Sequence, residues 1–163
     1  MKGKRSEMLL CGVVAAVLCA LVPPALALPD PGWTVFSDDK NTTVDYPRGV
    51  FSVEGREDVP PGPVFTTRDH RARLHIFAFR NERGESPAQH IARTFTHDRR
   101  QLDYDRVARN FFALSENKGS DILYRRCNFA RGMIHCIELV YPRGEKRAWD
   151  NIVTRISLSL RPR

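Results

Sequence analysis

Two runs rich in β-branched, aromatic and other apolar residues, 122–129 and 133–141, stand on either side of a short turn, and no other part of the chain restricts its fold as tightly. Runs of this kind around a glycine-bearing turn predict an antiparallel hairpin. The turn is either the two-residue loop Arg131-Gly132 or the four-residue loop 130–133, and both place Cys127 directly opposite Cys136. They also set Arg125 opposite Glu138 and Leu123 opposite Val140, a charge pair and an apolar pair that support the register. A three-residue loop would shift every pairing by one. Opposed strand residues lie within disulfide reach, so a Cys127–Cys136 bond is predicted.

Such a bond belongs to an oxidising compartment, and the start of the chain predicts one. Lys2, Lys4 and Arg5 precede an uninterrupted apolar run over 9–22, followed by Pro23, Pro24 and then Ala25-Leu26-Ala27. Residues 1–27 therefore read as a signal peptide cleaved before Leu28, which leaves 28–163 as a single domain in the periplasm or outside the cell. The apolar run is shorter than the roughly 20 residues of a comfortable membrane span. An uncleaved anchor and lipidation at Cys19 are the alternatives, and Leu18, where lipoprotein processing wants a small residue, argues against the second. Cleavage removes Cys11 and Cys19, so Cys127 and Cys136 remain as a pair. The whole sequence has 26 basic and 19 acidic residues; taking away Lys2, Lys4, Arg5 and Glu7 leaves 23 and 18, a net +5. A basic surface suits anionic lipid, a cell-wall polymer or an acidic envelope protein. Nucleic acid is not expected as a partner, because the charge is interleaved and no RNP-type, zinc-finger or helix-turn-helix pattern is present.

Along the rest of the chain, segments 33–36 and 42–46 form a first predicted hairpin around Asp38-Asp39-Lys40-Asn41. Segment 54–63 is charged and rich in Pro and Gly, which predicts a surface loop. Segments 64–67 and 73–79 read as strands, the second apolar on both faces and hence central. Ser86-Pro87-Ala88-Gln89 then offers an N-cap, a proline at the first helical position and a capping-box glutamine, so a helix starts there with Ala88, Ile91, Ala92 and Phe95 on its inner face. A strand over 111–114 leads to the central hairpin. Trp149, Ile152, Val153, Ile156 and Leu160 mark a closing amphipathic helix that stops before Pro162. The order β-β-β-α-β-β-β-α predicts an α+β fold, a single largely antiparallel sheet of about six strands with two packed helices.

Thr42-Thr43-Val44-Asp45-Tyr46-Pro47 followed by Phe51, the element order, and the Leu123-Tyr124-Arg125-Arg126 strand ahead of a closing helix resemble the PsbP-like fold. That fold is shared by an extrinsic photosystem protein, a small Ran-binding nuclear factor and many bacterial exported domains. The resemblance implies an accessory or binding protein. It carries over no catalytic residue, because the matching positions are structural ones.

A search for chemistry gives little. His90 and His97 are seven residues apart on the predicted helix, about 10 Å along its axis at ~1.5 Å per residue, so they cannot share a metal, and both are expected in solvent. His70 belongs to a turn and His75 to a strand. No H-E-x-x-H, G-x-S-x-G or phosphate-binding glycine loop occurs. A Cys136–His75 nucleophile would need a free thiol, which the predicted disulfide removes, and His135 points to the sheet face opposite Cys136. Asp103 and Asp105 flank Tyr104 in a polar connection, and Asp38-Asp39 is turn material. No catalytic residue, metal site or cofactor is predicted. Arg125, Arg126 and Arg131, in and around the central hairpin, are the candidate contact for an anionic partner. The sequence therefore predicts an exported, non-enzymatic accessory or binding protein of the cell envelope, with an exported hydrolase as the alternative.

Overall fold

The segment 73–79, apolar on both faces, becomes the strand β5 (Arg73–Arg80), and alternate residues divide between two cores. Leu74 and Ile76 face one core; Phe77 and Phe79 face the other. The computed structural model describes residues 31–95 and 102–163. The expected leader 1–27, the expected cleavage point before Leu28, and His97 lie outside those residues.

Ten strands and two α-helices are present among the described residues: β1 (Trp33–Ser37), β2 (Thr42–Pro47), β3 (Ser52–Asp58), β4 (Pro61–Thr66), β5, α1 (Pro87–Thr94), β6 (Tyr104–Val107), β7 (Phe111–Lys118), β8 (Asp121–Ala130), β9 (Met133–Pro142), α2 (Lys146–Ser159) and β10 (Arg161–Pro162). The α+β class and the two helices stand, but the single six-stranded sheet does not. The strands form a seven-stranded sheet in the order β3-β4-β5-β9-β8-β7-β6 and a separate three-stranded sheet in the order β1-β2-β10. Every pairing is antiparallel.

Two segments account for the extra strands in the large sheet. The expected loop over 54–63 is most of the β3–β4 hairpin, which forms one edge of the sheet. The expected polar connection around Asp103 and Asp105 forms the opposite edge as β6. Edge strands commonly carry charge, which blocks pairing with other chains, and that same charge reads as loop in a sequence.

One face of the large sheet packs on α2 and the small sheet, through Phe65, Leu74, Ile137 and Leu139 against Trp149, Val153, Ile156 and Val44. The stripe predicted for the closing helix is the one that α2 buries. Polar bonds fasten this layer: Tyr124 OH and Ser157 Oγ are 2.6 Å apart, Asn128 Nδ2 donates to Leu160 O at 2.8 Å, and Thr42 Oγ1 meets His135 Nδ1 at 3.0 Å. The other face carries a smaller core of Phe77, Phe112, Leu114, Ile134 and the two cysteines, covered by Ile91 of α1. The capping box at Ser86 and Gln89 is formed, with Ser86 Oγ accepting from the Gln89 amide and Gln89 Oε1 accepting from the Ser86 amide.

Candidate functional site

The β8–β9 hairpin turns at Arg131-Gly132, both with positive φ, and its register pairs Cys127 with Cys136, Arg125 with Glu138 and Leu123 with Val140. Cys127 and Cys136 are disulfide-bonded, with Cα atoms 4.1 Å apart. Period-two alternation sends Arg125, Cys127, Cys136 and Glu138 to the α1 face of the sheet. Neighbouring β5 presents His75, Phe77 and Phe79 to the same face, and β7 adds Phe112. These side chains floor a cavity of about 500 Å³ that Glu57, Val59 and Pro60 of the β3–β4 hairpin and His90, Arg93 and Thr94 of α1 enclose at its sides.

The β3–β4 hairpin reaches this place because Gly62 has no side chain. A Cβ there would stand 2.1 Å from the Ile76 carbonyl oxygen, so the hairpin lies against β5 more closely than any other residue permits. Its Val59–Pro60 peptide is cis.

Charge at the rim is paired internally. Glu57 is bonded to Arg73 and Glu138 to Arg125, and a 3.4 Å contact from Arg73 Nη2 to Glu138 Oε1 joins the two pairs. On the helix side Glu85 accepts from Arg93 Nε at 2.6 Å and Nη2 at 2.9 Å, which holds its carboxyl below the usual range. His75 is 2% exposed. Its Nδ1 lies 3.3 Å from Glu57 Oε2, while its Nε2 is buried with no hydrogen-bond partner. Leaving a buried polar atom unpaired costs on the order of 1–3 kcal/mol. Burial pushes the His75 imidazole below its ordinary pKa, against the opposing pull of the Glu57 and Glu138 carboxylates.

His90 corrects the expectation that it faces solvent. The inner face of α1 is Pro87, His90 and Ile91, with Ala88 and Ala92 outside. The His90 ring stacks on Phe112 at 6.0 Å and meets Phe129 edge-on at 5.7 Å, with Nδ1 3.2 Å from Glu85 Oε2. Burial lowers its pKa as well. Alanines are poor markers of an inner face because they bury little area, whereas the His90 ring packs on two phenylalanines and keeps Glu85 as a polar partner.

The three arginines singled out in sequence do not converge. Arg125 faces the cavity, pairs with Glu138 and lies over Phe95 at 5.5 Å. Arg126 faces the opposite side of the sheet, over Phe111 at 4.3 Å, with Nε donating to Asn128 Oδ1. Arg131 is exposed in the turn. Glu57, by contrast, went unnoticed, since its partner His75 is brought to it only by the hairpin. His70 sits in an exposed turn with positive φ. Among the described residues no three His, Cys, Asp or Glu side chains converge to hold a metal.

No protein-family model matches the sequence, and no curated protein does. A solved structure does match: the solution structure of cyanobacterial PsbP (CyanoP) from Synechocystis sp. PCC 6803. The likeness covers 93% of this chain and 98% of that one, with a TM-score of 0.62 at 12% sequence identity. Identity this low speaks to architecture and not to activity. The chain has a PsbP-like fold.

Proposed function

We propose that the protein is an exported, non-enzymatic accessory or binding protein of the cell envelope, and that its ligand occupies the cavity beneath α1. The observation that carries this reading is the cavity itself, which combines an aromatic floor with a rim whose charges pair with one another. Ligand sites commonly have this make-up, apolar walls with a few placed polar groups. Export is supported by the basic and apolar leader with Ala25-Leu26-Ala27 and by the Cys127–Cys136 bond. No helix among the described residues is long and apolar enough to cross a membrane. For a larger anionic partner, such as a lipid surface, wall polymer or acidic envelope protein, Arg126 and Arg131 are the available contacts, since neither pairs with a carboxylate among the described residues.

The test is isolation of the protein from the periplasmic and secreted fractions of the native cell. A mature mass beginning at Leu28 is expected, together with a small molecule retained in nondenaturing mass spectra and lost from a Thr94→Trp variant that blocks the cavity mouth. A cytosolic, full-length protein, or one that retains nothing, counts against the reading.

An exported hydrolase is the second reading, favoured by one observation: His75 Nδ1 stands beside the Glu57 carboxylate at 3.3 Å, as a histidine oriented for general-base work would. Among the described residues the cavity offers no ready nucleophile. Both cysteines are bonded to each other, and the Thr94 hydroxyl donates to His90 O at 2.7 Å. Ester or peptide turnover lost on His75→Asn would establish this second reading.

A further inference from the structure

The large sheet is wider than the layer beneath α2 that covers it. Among the described residues that core takes its large-sheet members from β4, β5, β9 and β8, and none from β7 or β6. Strand alternation still sends Phe111, Ala113 and Ser115 of β7 to this face, since Phe112 and Leu114 face the core beneath α1. The register then sets two rows across the open edge: Arg106, Ala113 and Arg126 in one, and Tyr104, Ser115 and Tyr124 in the next. Each row places a small residue between two long ones. A groove of about 500 Å³ results, walled on one side by α2 at Ser157 and Leu158.

Charge is divided along this groove. Arg106 and Arg126 start two strand spacings apart, about 10 Å, and both lean over the Phe111 ring, at 5.4 and 4.3 Å from its centroid. Arg126 uses Nε on Asn128 Oδ1, and neither guanidinium pairs with a carboxylate among the described residues. Two cations gathered on one ring repel each other, and their remaining N–H groups match the oxygens of an anion. At the tyrosine end the lining changes sign: Asp103 is held there by its amide on Ser115 O at 2.9 Å, and Lys146 is already paired with Asp150 at 2.7 Å. Beside both ends Leu158 stands 69% exposed, an apolar side chain on the rim.

We propose that this groove is a binding site separate from the cavity beneath α1, and that it takes a small molecule with a single oxyanion group, carboxylate or phosphate, held by Arg106 and Arg126, and an uncharged apolar body lying against Tyr104 and Leu158. Hydrogen bonds from guanidinium to an oxyanion are roughly twice as strong as neutral ones, so the head group supplies most of the discrimination. Asp103 repels a second anionic group at the other end.

Four probes of one shape test this: naphthoate, naphthyl phosphate, the neutral naphthamide and naphthalene dicarboxylate, titrated into the purified protein near neutral pH. Amide resonances of β6, β7 and α2 report this groove, and those of β5 report the cavity beneath α1. Naphthoate or naphthyl phosphate is expected to perturb β6, β7 and α2 and to bind at least about tenfold more tightly than naphthamide, the tighter of the two identifying the head group. The dicarboxylate is expected to bind no more tightly than naphthoate. Replacing Arg106 and Arg126 together with glutamine should abolish the preference over naphthamide. Replacing the exposed Arg80 and Arg83 beside α1, which removes the same charge, should leave it intact. The wild-type comparison stands even where a variant does not fold. Equal affinity for the amide and both single anions, tightest binding by the dicarboxylate, or the same loss in both double variants would overturn the inference. Shifts confined to β5, or none at all, would overturn it too, and the retained small molecule sought in nondenaturing spectra decides the cavity beneath α1 separately.

Discussion

His135 sits between the two sheets, 2% exposed, with Nδ1 3.0 Å from the hydroxyl of the fully buried Thr42. Burial lowers its pKa from 6.5, the Asp38 carboxylate opposing weakly, and burial lowers His75 and His90 in the same direction. A histidine that is neutral when folded and free to protonate when unfolded makes the unfolded state bind more protons below about pH 6.5, so stability falls as pH falls through that value. Thermal midpoints are therefore expected to drop between about pH 7.5 and pH 5.5, above the range where carboxylates titrate. His135→Asn, whose amide can still meet Thr42, should make the drop shallower; an unchanged slope would remove His135 from the account. The sequence allowed His135 to be placed on the face opposite Cys136, because strand alternation needs only a neighbour. It did not reveal Thr42 as partner, which comes from a strand in another sheet.

The β3–β4 hairpin shows why whole elements can be misread. Arg56, Glu57 and Asp58 in one strand, with Pro60, Pro61, Gly62 and Pro63 following, have the composition of a loop. Only one side of this hairpin is paired to the sheet, through Val64, Phe65 and Thr66, so its outer strand has no alternation to display. The central hairpin, by contrast, was legible to the residue, because its short glycine-bearing turn and the cysteine, charge and apolar pairs beside it all fit one register. The candidate site divides along the same line: the disulfide and the Arg125–Glu138 pair were visible, whereas Glu57 and the inward turn of His90 were not. Gly62→Ala should push a methyl group into the Ile76 carbonyl. The expected loss is toward the upper end of about 1–3 kcal/mol, read from urea midpoints, with the hairpin displaced from the cavity. A variant as stable as the parent would mean that β3 and β4 sit more loosely on β5.

The whole molecule is two layers of strands and one helix around a main core, with a second core beneath α1. The Cys127–Cys136 bond spans the middle of the large sheet and closes a loop with a sequence separation of 9. Replacing both cysteines with alanine should cost about 2–3 kcal/mol in loop-closure entropy, seen as a lower urea midpoint in a protein that still folds. Unchanged stability would mean that the bond constrains nothing the hairpin does not already fix. The β1–β2 hairpin of the small sheet is legible in the sequence and forms, but its third strand is not, because β10 is only Arg161–Pro162, too short for any periodicity. It nonetheless pairs with β2, and Arg161 Nη2 meets Asp45 across 116 positions of chain. This pairing bears on the order of synthesis. Strand β2 is among the first of the described strands to be made and β10 is the last of them, so the third strand of the small sheet joins only when residues 161–162 have been made. Contacts that span so much chain form slowly, so the pairing of β10 with β2 is expected to be a late step of folding, after the large sheet has its strands in place.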